Sequence, residues 1–114
     1  MTTTTTRPST TTTSTTIKGT PPSAPTNATL TSQCTGALLK WGPPTSSGSA
    51  PITAYNIYRG SWGAEVYLAT VPASALSYND TTGGAWTWNY YRVTAVNAAG
   101  EGPPSADVGG YKTC

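Results

Sequence analysis

The sequence predicts an all-β domain, about seven short antiparallel strands folded into a two-layer sandwich. Three observations carry this expectation. From Pro21 onward apolar side chains recur with period two rather than 3.6. The runs are separated by turn-forming clusters: Pro43-Pro44 through Gly48, Gly60 to Gly63, Gly83-Gly84, and Gly100 to Pro104. No 11-residue window carries an amphipathic helix. Seven such runs can bury a core between two sheets whose inner faces alternate with polar outer ones.

The N-terminal stretch, residues 1–20, is of a different kind. It is mostly threonine, with Pro8, Arg7 and Lys18, and Ile17 is its one aliphatic side chain besides Met1. Such a segment cannot bury enough apolar surface to offset its ordering entropy. It is therefore read as a low-complexity tether, semi-stiff because β-branched Thr is restricted at χ1 and disfavours helix. Residues 21–114 form the domain. The strand-like runs begin with Ala28, Leu30 and Ser32 alternating with Thr29, Thr31 and Gln33. Ala37, Leu39 and Trp41 then alternate with Leu38 and Lys40. In the run from Ile52 to Arg59, Tyr55 and Ile57 are assigned to opposite faces. Runs follow from Glu65 to Val71 and from Leu76 to Asp80. Tyr91, Val93 and Ala95 alternate with Arg92, Thr94 and Val96, and a last strand is expected between Ala106 and Thr113.

In four of these places the residues resemble the fibronectin type III domain, over about Pro22 to Val108. Pro22-Ser23-Ala24-Pro25 looks like that family's entry to its first strand. Leu38-Leu39-Lys40-Trp41-Gly42-Pro43-Pro44 looks like its second, with Trp41 as the core tryptophan. Ile52 to Arg59 resembles the third strand, and Tyr91 to Glu101 the sixth with its following loop. The resemblance implies a seven-stranded immunoglobulin-like antiparallel β-sandwich. Two departures stand out. Four residues before Val93 the family carries a tyrosine whose hydroxyl caps the preceding turn; here Asn89 stands there, and Trp88 or Tyr90 is expected to substitute. The turn itself, which in the family carries an aliphatic residue, reads Thr82-Gly83-Gly84-Ala85-Trp86. Nor is there an Arg-Gly-Asp tripeptide after the sixth strand, so integrin binding by that route is not implied.

The two cysteines, Cys34 and Cys114, make no close-spaced metal motif. By themselves they allow one long-range disulfide, two free thiols or a link to another chain. The resemblance implies that both lie at the end of the sandwich away from the tether, where an intramolecular bridge would form in oxidising surroundings.

Catalysis is not expected. The chain has no histidine, the commonest general base and metal ligand. Its four acidic residues, Glu65, Asp80, Glu101 and Asp107, are scattered over different segments. No nucleophile elbow, phosphate-binding loop or Cys-x-x-Cys is present, and no cofactor or metal site is expected. A formal net charge of +2, thinly spread, makes no basic stripe, so nucleic acid is not an expected partner. No apolar run is long enough for membrane insertion. The N-terminus lacks an apolar signal core, so an exported form would be a piece of a longer precursor or a mature chain with an added Met1.

The aromatic residues and the glycosylation patterns are the remaining hints. Trp62, Trp86 and Trp88 map to the same end of the fold as the cysteines, as a candidate contact patch. The bland reading, that they cover the end of the core where the aliphatic residue is missing, is preferred over sugar stacking or a domain contact. Asn27-Ala28-Thr29 and Asn79-Asp80-Thr81 fit the N-glycosylation pattern, making Asn27 and Asn79 candidates. Thr2, Thr3, Thr4, Thr5, Thr6, Thr10, Thr11, Thr12, Thr13, Thr15 and Thr16 are candidates for O-glycosylation.

The functional expectation is a non-catalytic spacer, accessory or adhesion module of a secreted or surface multidomain protein. Its partners would be neighbouring domains or subunits, with polysaccharide as a further partner. Two alternatives are kept. One is a structural subunit of an extracellular filament or surface layer, with the Thr-rich tail pairing with a neighbour's sheet edge. The other is a carbohydrate- or protein-binding module.

Overall fold

The computed structural model describes residues 19–114; the stretch before Gly19, with its candidate O-glycosylation threonines and the tail pairing expected of a filament subunit, lies outside the described residues. Eight strands follow one another, and no helix occurs among the described residues. They are β1 (Thr26–Gln33), β2 (Gly36–Gly42), β3 (Ala54–Gly60), β4 (Val66–Pro72), β5 (Ser77–Asp80), β6 (Asn89–Asn97), β7 (Gly100–Glu101) and β8 (Val108–Gly110). One sheet has the order β1-β2-β5 and the other the order β4-β3-β6, with β7 and β8 both paired to the far edge of β6. All the pairings are antiparallel.

The expected count of seven becomes eight because the last strand is split. β7 pairs with Val96 and Asn97 at one end of β6, and β8 pairs with Asn89 to Tyr91 at the other. Pro103 and Pro104 fall between them and have no N–H to give the ladder. The gap is bridged by Gly102, whose N–H donates to Ala95 O at 2.9 Å, and by Ser105. The Ser105 N–H donates to Val93 O at 2.8 Å, and its Oγ accepts from the Val93 N–H at 3.0 Å.

Leu39, Trp41, Tyr55, Ile57, Tyr91, Val93 and the small residues Ala37 and Ala95 fill the space between the sheets. Trp41 meets Tyr55 edge to face at 5.5 Å, a favoured aromatic geometry. The assignment of Tyr55 and Ile57 to opposite faces is corrected here: both are buried. Residues two apart in a strand share a face, and in β3 the outward positions are Asn56 and Tyr58.

Side chains and the terminal segments tie the two ends. Asn97 is buried, and its Nδ2 donates to Thr20 O at 2.9 Å and to Ser47 O at 2.8 Å, while its Oδ1 accepts from the Ala99 and Gly100 amides. Thr20 also exchanges hydrogen bonds with Ser49, so it is held by the domain drawn from residue 21. At the other end the chain after β8 crosses to the first sheet: Tyr111 N–H donates to Ser32 Oγ and Thr113 N–H to Gln33 O. Cys34 and Cys114 are disulfide-bonded there, with their Cα atoms 4.5 Å apart.

Candidate functional site

Along β6 the side chains alternate. Tyr91, Val93 and Ala95 point into the core, and Tyr90, Arg92 and Thr94 lie on the outer face. Tyr90 is flanked across the sheet by two glycines, Gly60 on β3 and Gly109 on β8. Neither offers a side chain to crowd it. Over Gly109 lies the indole of Trp88, so close that a Cβ at this position would come within 2.5 Å of the ring.

The result is a continuous row of rings. Trp62, in the turn after β3, meets Tyr90 at 5.2 Å; Tyr90 meets Trp88 at 6.0 Å. Trp88 meets Tyr111 at 5.8 Å, and Tyr111 meets Trp86 at 5.5 Å. The three indoles face solvent, with Trp62 70 %, Trp86 68 % and Trp88 54 % exposed. The expectation that they cover the core is therefore corrected. Trp86 has φ 60°, a left-handed conformation uncommon for a bulky residue, and its N–H is anchored to Lys112 O at 2.7 Å.

The end of the core is closed by a polar network instead. Tyr91 Oη donates to Asp80 Oδ2 at 2.5 Å, Arg59 Nη1 donates to the same oxygen at 2.9 Å, and Thr82 donates to Asp80 Oδ1 through its N–H and its hydroxyl. It is thus Tyr91, not Trp88 or Tyr90, whose hydroxyl reaches back across this end; Asn89 only donates weakly to Thr87 O. Burial pushes the Asp80 carboxyl up, but the hydrogen bonds from Thr82, Tyr91 and Arg59 outweigh it and bring the pKa down to about 2. Burial, reinforced by the Asp80 charge, pushes the Tyr91 phenol well up.

Farther along the same outer face, Tyr58, Arg92, Thr94, Glu101, Gly102 and Pro104 line an open depression of about 240 Å³. Glu101 accepts hydrogen bonds from the Tyr58 and Thr94 hydroxyls and from Asn56 Nδ2. Burial acts to raise its pKa, and these bonds lower it below the usual range. Glu65 is buried with Arg92 Nε 3.7 Å away, and burial, then the nearby Asp107, raises its pKa. Asp80 and Glu101 are saturated with donors and held ionised, which suits anchoring rather than proton transfer near neutral pH. No group of three or more His, Cys, Asp or Glu among the described residues is placed to hold a metal ion.

Of the other sequence-derived sites, Asn27 is exposed at a β1 bulge with φ 52°. Asn79 is exposed too, and its Nδ2 donates one of its two hydrogens to Thr35 O at 3.1 Å. Sequence reasoning brought together Trp62, Trp86 and Trp88 but missed Tyr90 and Tyr111, the rings that link them. The signal was available: Tyr90 lies one residue from core-facing Tyr91, so it must face outward.

A family model described as fibronectin type III domain matches residues 23–110. Among solved structures the chain is similar to domains A168–A170 of titin, with TM-score 0.74 and 20 % identity over 84 % of this chain and 34 % of that one. It is similar to a β-1,2-glucanase from Parabacteroides distasonis, with TM-score 0.70 and 25 % identity over 85 % of this chain and 14 % of the other. An Fn3-like protein from Clostridium thermocellum gives TM-score 0.65 and 28 % identity over 77 % of this chain and 90 % of that chain. The chain thus spans about a third of the titin structure and a far smaller part of the glucanase.

Proposed function

We propose, from the premise that this chain belongs to the fibronectin type III domain family, that it is a non-catalytic accessory module of a secreted or surface multidomain protein. Domains of this family occur as modules within larger chains, as the similarity to a small part of a glucanase illustrates. The observation that carries the reading is the closed interior: Leu39, Trp41, Tyr55, Ile57, Tyr91 and Val93 occupy the space between the sheets, and the depression on the outer face is open. A Cys34–Cys114 disulfide fits an oxidising compartment. In this reading residues 1–20 are the tether and residues 21–114 the rigid spacer, and the module sets the distance and orientation of what it joins. Fold alone does not fix function, so the test is made on natural material. An antibody against residues 21–114 should detect a larger polypeptide outside the cell or at its surface, with both cysteines oxidised. Deleting the domain from that polypeptide should leave turnover of a small soluble substrate unchanged. Detection only inside the cell, with both thiols reduced, would overturn the reading.

A further inference from the structure

We propose that the row Trp62, Tyr90, Trp88, Tyr111 and Trp86 is a binding platform for an uncharged polysaccharide chain. This goes beyond the accessory reading, because a module that only spaces its neighbours has no use for such a row. Singly exposed apolar residues are normal on a protein surface, but a contiguous set is not. Here each ring touches the next, at centroid separations of 5.2 to 6.0 Å, in an unbranched succession of contacts. An unbranched succession of rings suits an extended polymer better than the broad rimmed patch of a protein partner does.

The polar edges of the rings point the same way. Among the described residues no hydrogen bond engages the hydroxyls of Tyr90 and Tyr111 or the indole N–H groups of Trp62, Trp86 and Trp88; the hydroxyls of Tyr55 and Tyr78 are unengaged as well, while those of Tyr58, Tyr67 and Tyr91 are bonded. An aromatic face with a free donor at its edge matches a sugar, which offers C–H groups on one face and hydroxyls at its rim. The rings themselves carry no formal charge, which suits a neutral ligand. Of the charged residues beside the row, Arg59 pairs with Asp80 and Arg92 with Glu65, and the single Lys112, next to Tyr111, turns its Nζ to Thr81 O at 3.5 Å. The left-handed backbone of Trp86 is a further mark, since strain of this kind concentrates at working sites.

The test is native affinity electrophoresis of the 114-residue chain in gels containing a mixed-linkage β-glucan, a xyloglucan, a galactomannan, or acidic polygalacturonate. At least one neutral polymer should retard the protein, and any charge-driven slowing of this +2 chain by polygalacturonate should disappear with added salt. Trp62→Ala and Trp88→Ala should each weaken that retardation about tenfold or more, while Leu76→Ala, on the other sheet's edge, should leave it unchanged. Trp88 packs on Gly109, so circular dichroism is used to check its fold; Trp62→Ala, in an exposed turn, keeps the test decisive if Trp88→Ala does not fold. Absence of retardation in every neutral gel, retardation that both variants retain, or binding to polygalacturonate alone would each overturn the proposal. So would concentration-dependent dimerisation abolished by Trp62→Ala, which would make the row an interface between copies. None of these outcomes bears on the compartment and parent-chain test of the accessory reading.

Discussion

The Asp80 carboxylate sits in the interior between the Tyr91 hydroxyl, the Arg59 guanidinium and Thr82. Its folded pKa of about 2 lies below the unfolded value of about 3.9. The unfolded chain therefore takes up the proton first. The contribution of about 2–3 kcal/mol is complete above pH ~5 and is lost as pH falls through about 2. Glu101 shifts in the same direction, while buried Glu65 shifts the opposite way and contributes less as pH rises. Asp80 is isolated by comparing Asp80→Asn with the parent: the difference between their urea midpoints should shrink from pH 5 to pH 2. Asn97 gives a pH-independent counterpart. Asn97→Ala removes the buried amide that donates to Thr20 O and Ser47 O and accepts from the Ala99 and Gly100 N–H groups, and should cost about 1–3 kcal/mol in urea unfolding. Little of the Asp80 network was legible in the sequence. Asp80 and Tyr91 are 11 positions apart in different sheets, and nothing local pairs them; only the Asn89 departure marked the place. The exposure of the three indoles was equally hidden, because it depends on what else closes the core.

The strands themselves were written into the sequence, since period-two alternation is a direct image of which side chains face inward. β2 and β6 read cleanly because both bury every second residue. The split of the final strand was harder: Gly100-Glu101 looks like turn sequence, and its pairing with Val96 and Asn97 is a tertiary contact. Ser105 takes over where Pro103 and Pro104 cannot pair. Ser105→Ala leaves the buried Val93 N–H without its side-chain acceptor and should cost about 1–3 kcal/mol, read from denaturant midpoints. Gly102 stands where the chain passes the domain entry, and a Cβ there would lie 2.0 Å from Pro22 O. Backbone cannot yield as a flexible side chain does, so Gly102→Ala should destabilise by about 1–3 kcal/mol and speed exchange of the Thr20 and Ser23 amides.

The Cys34–Cys114 bridge spans a sequence separation of 80 and ties the first hairpin to the chain's last residue. By chain entropy such a closure contributes about 4–5 kcal/mol, a large share of the ~5–15 kcal/mol that holds an ordinary domain together. A Cys34→Ser, Cys114→Ser double variant should lose stability on that scale in urea, with a steeper transition from its more expanded unfolded chain. The same bridge decides how the domain responds to tension. A pull applied between Gly19 and Cys114 runs through β1 to Cys34 and then crosses the sulfurs, leaving β2 to β8 in a closed ring that carries no load. Even fully unravelled, the oxidised module can lengthen only over the residues before Cys34, to about 50 Å at ~3.3–3.6 Å per residue. Without the bridge the limit is over 300 Å. Single-molecule stretching in the presence and absence of reductant should show these two contour lengths. The module then works as an almost inextensible link when oxidised and as a shock absorber once reduced.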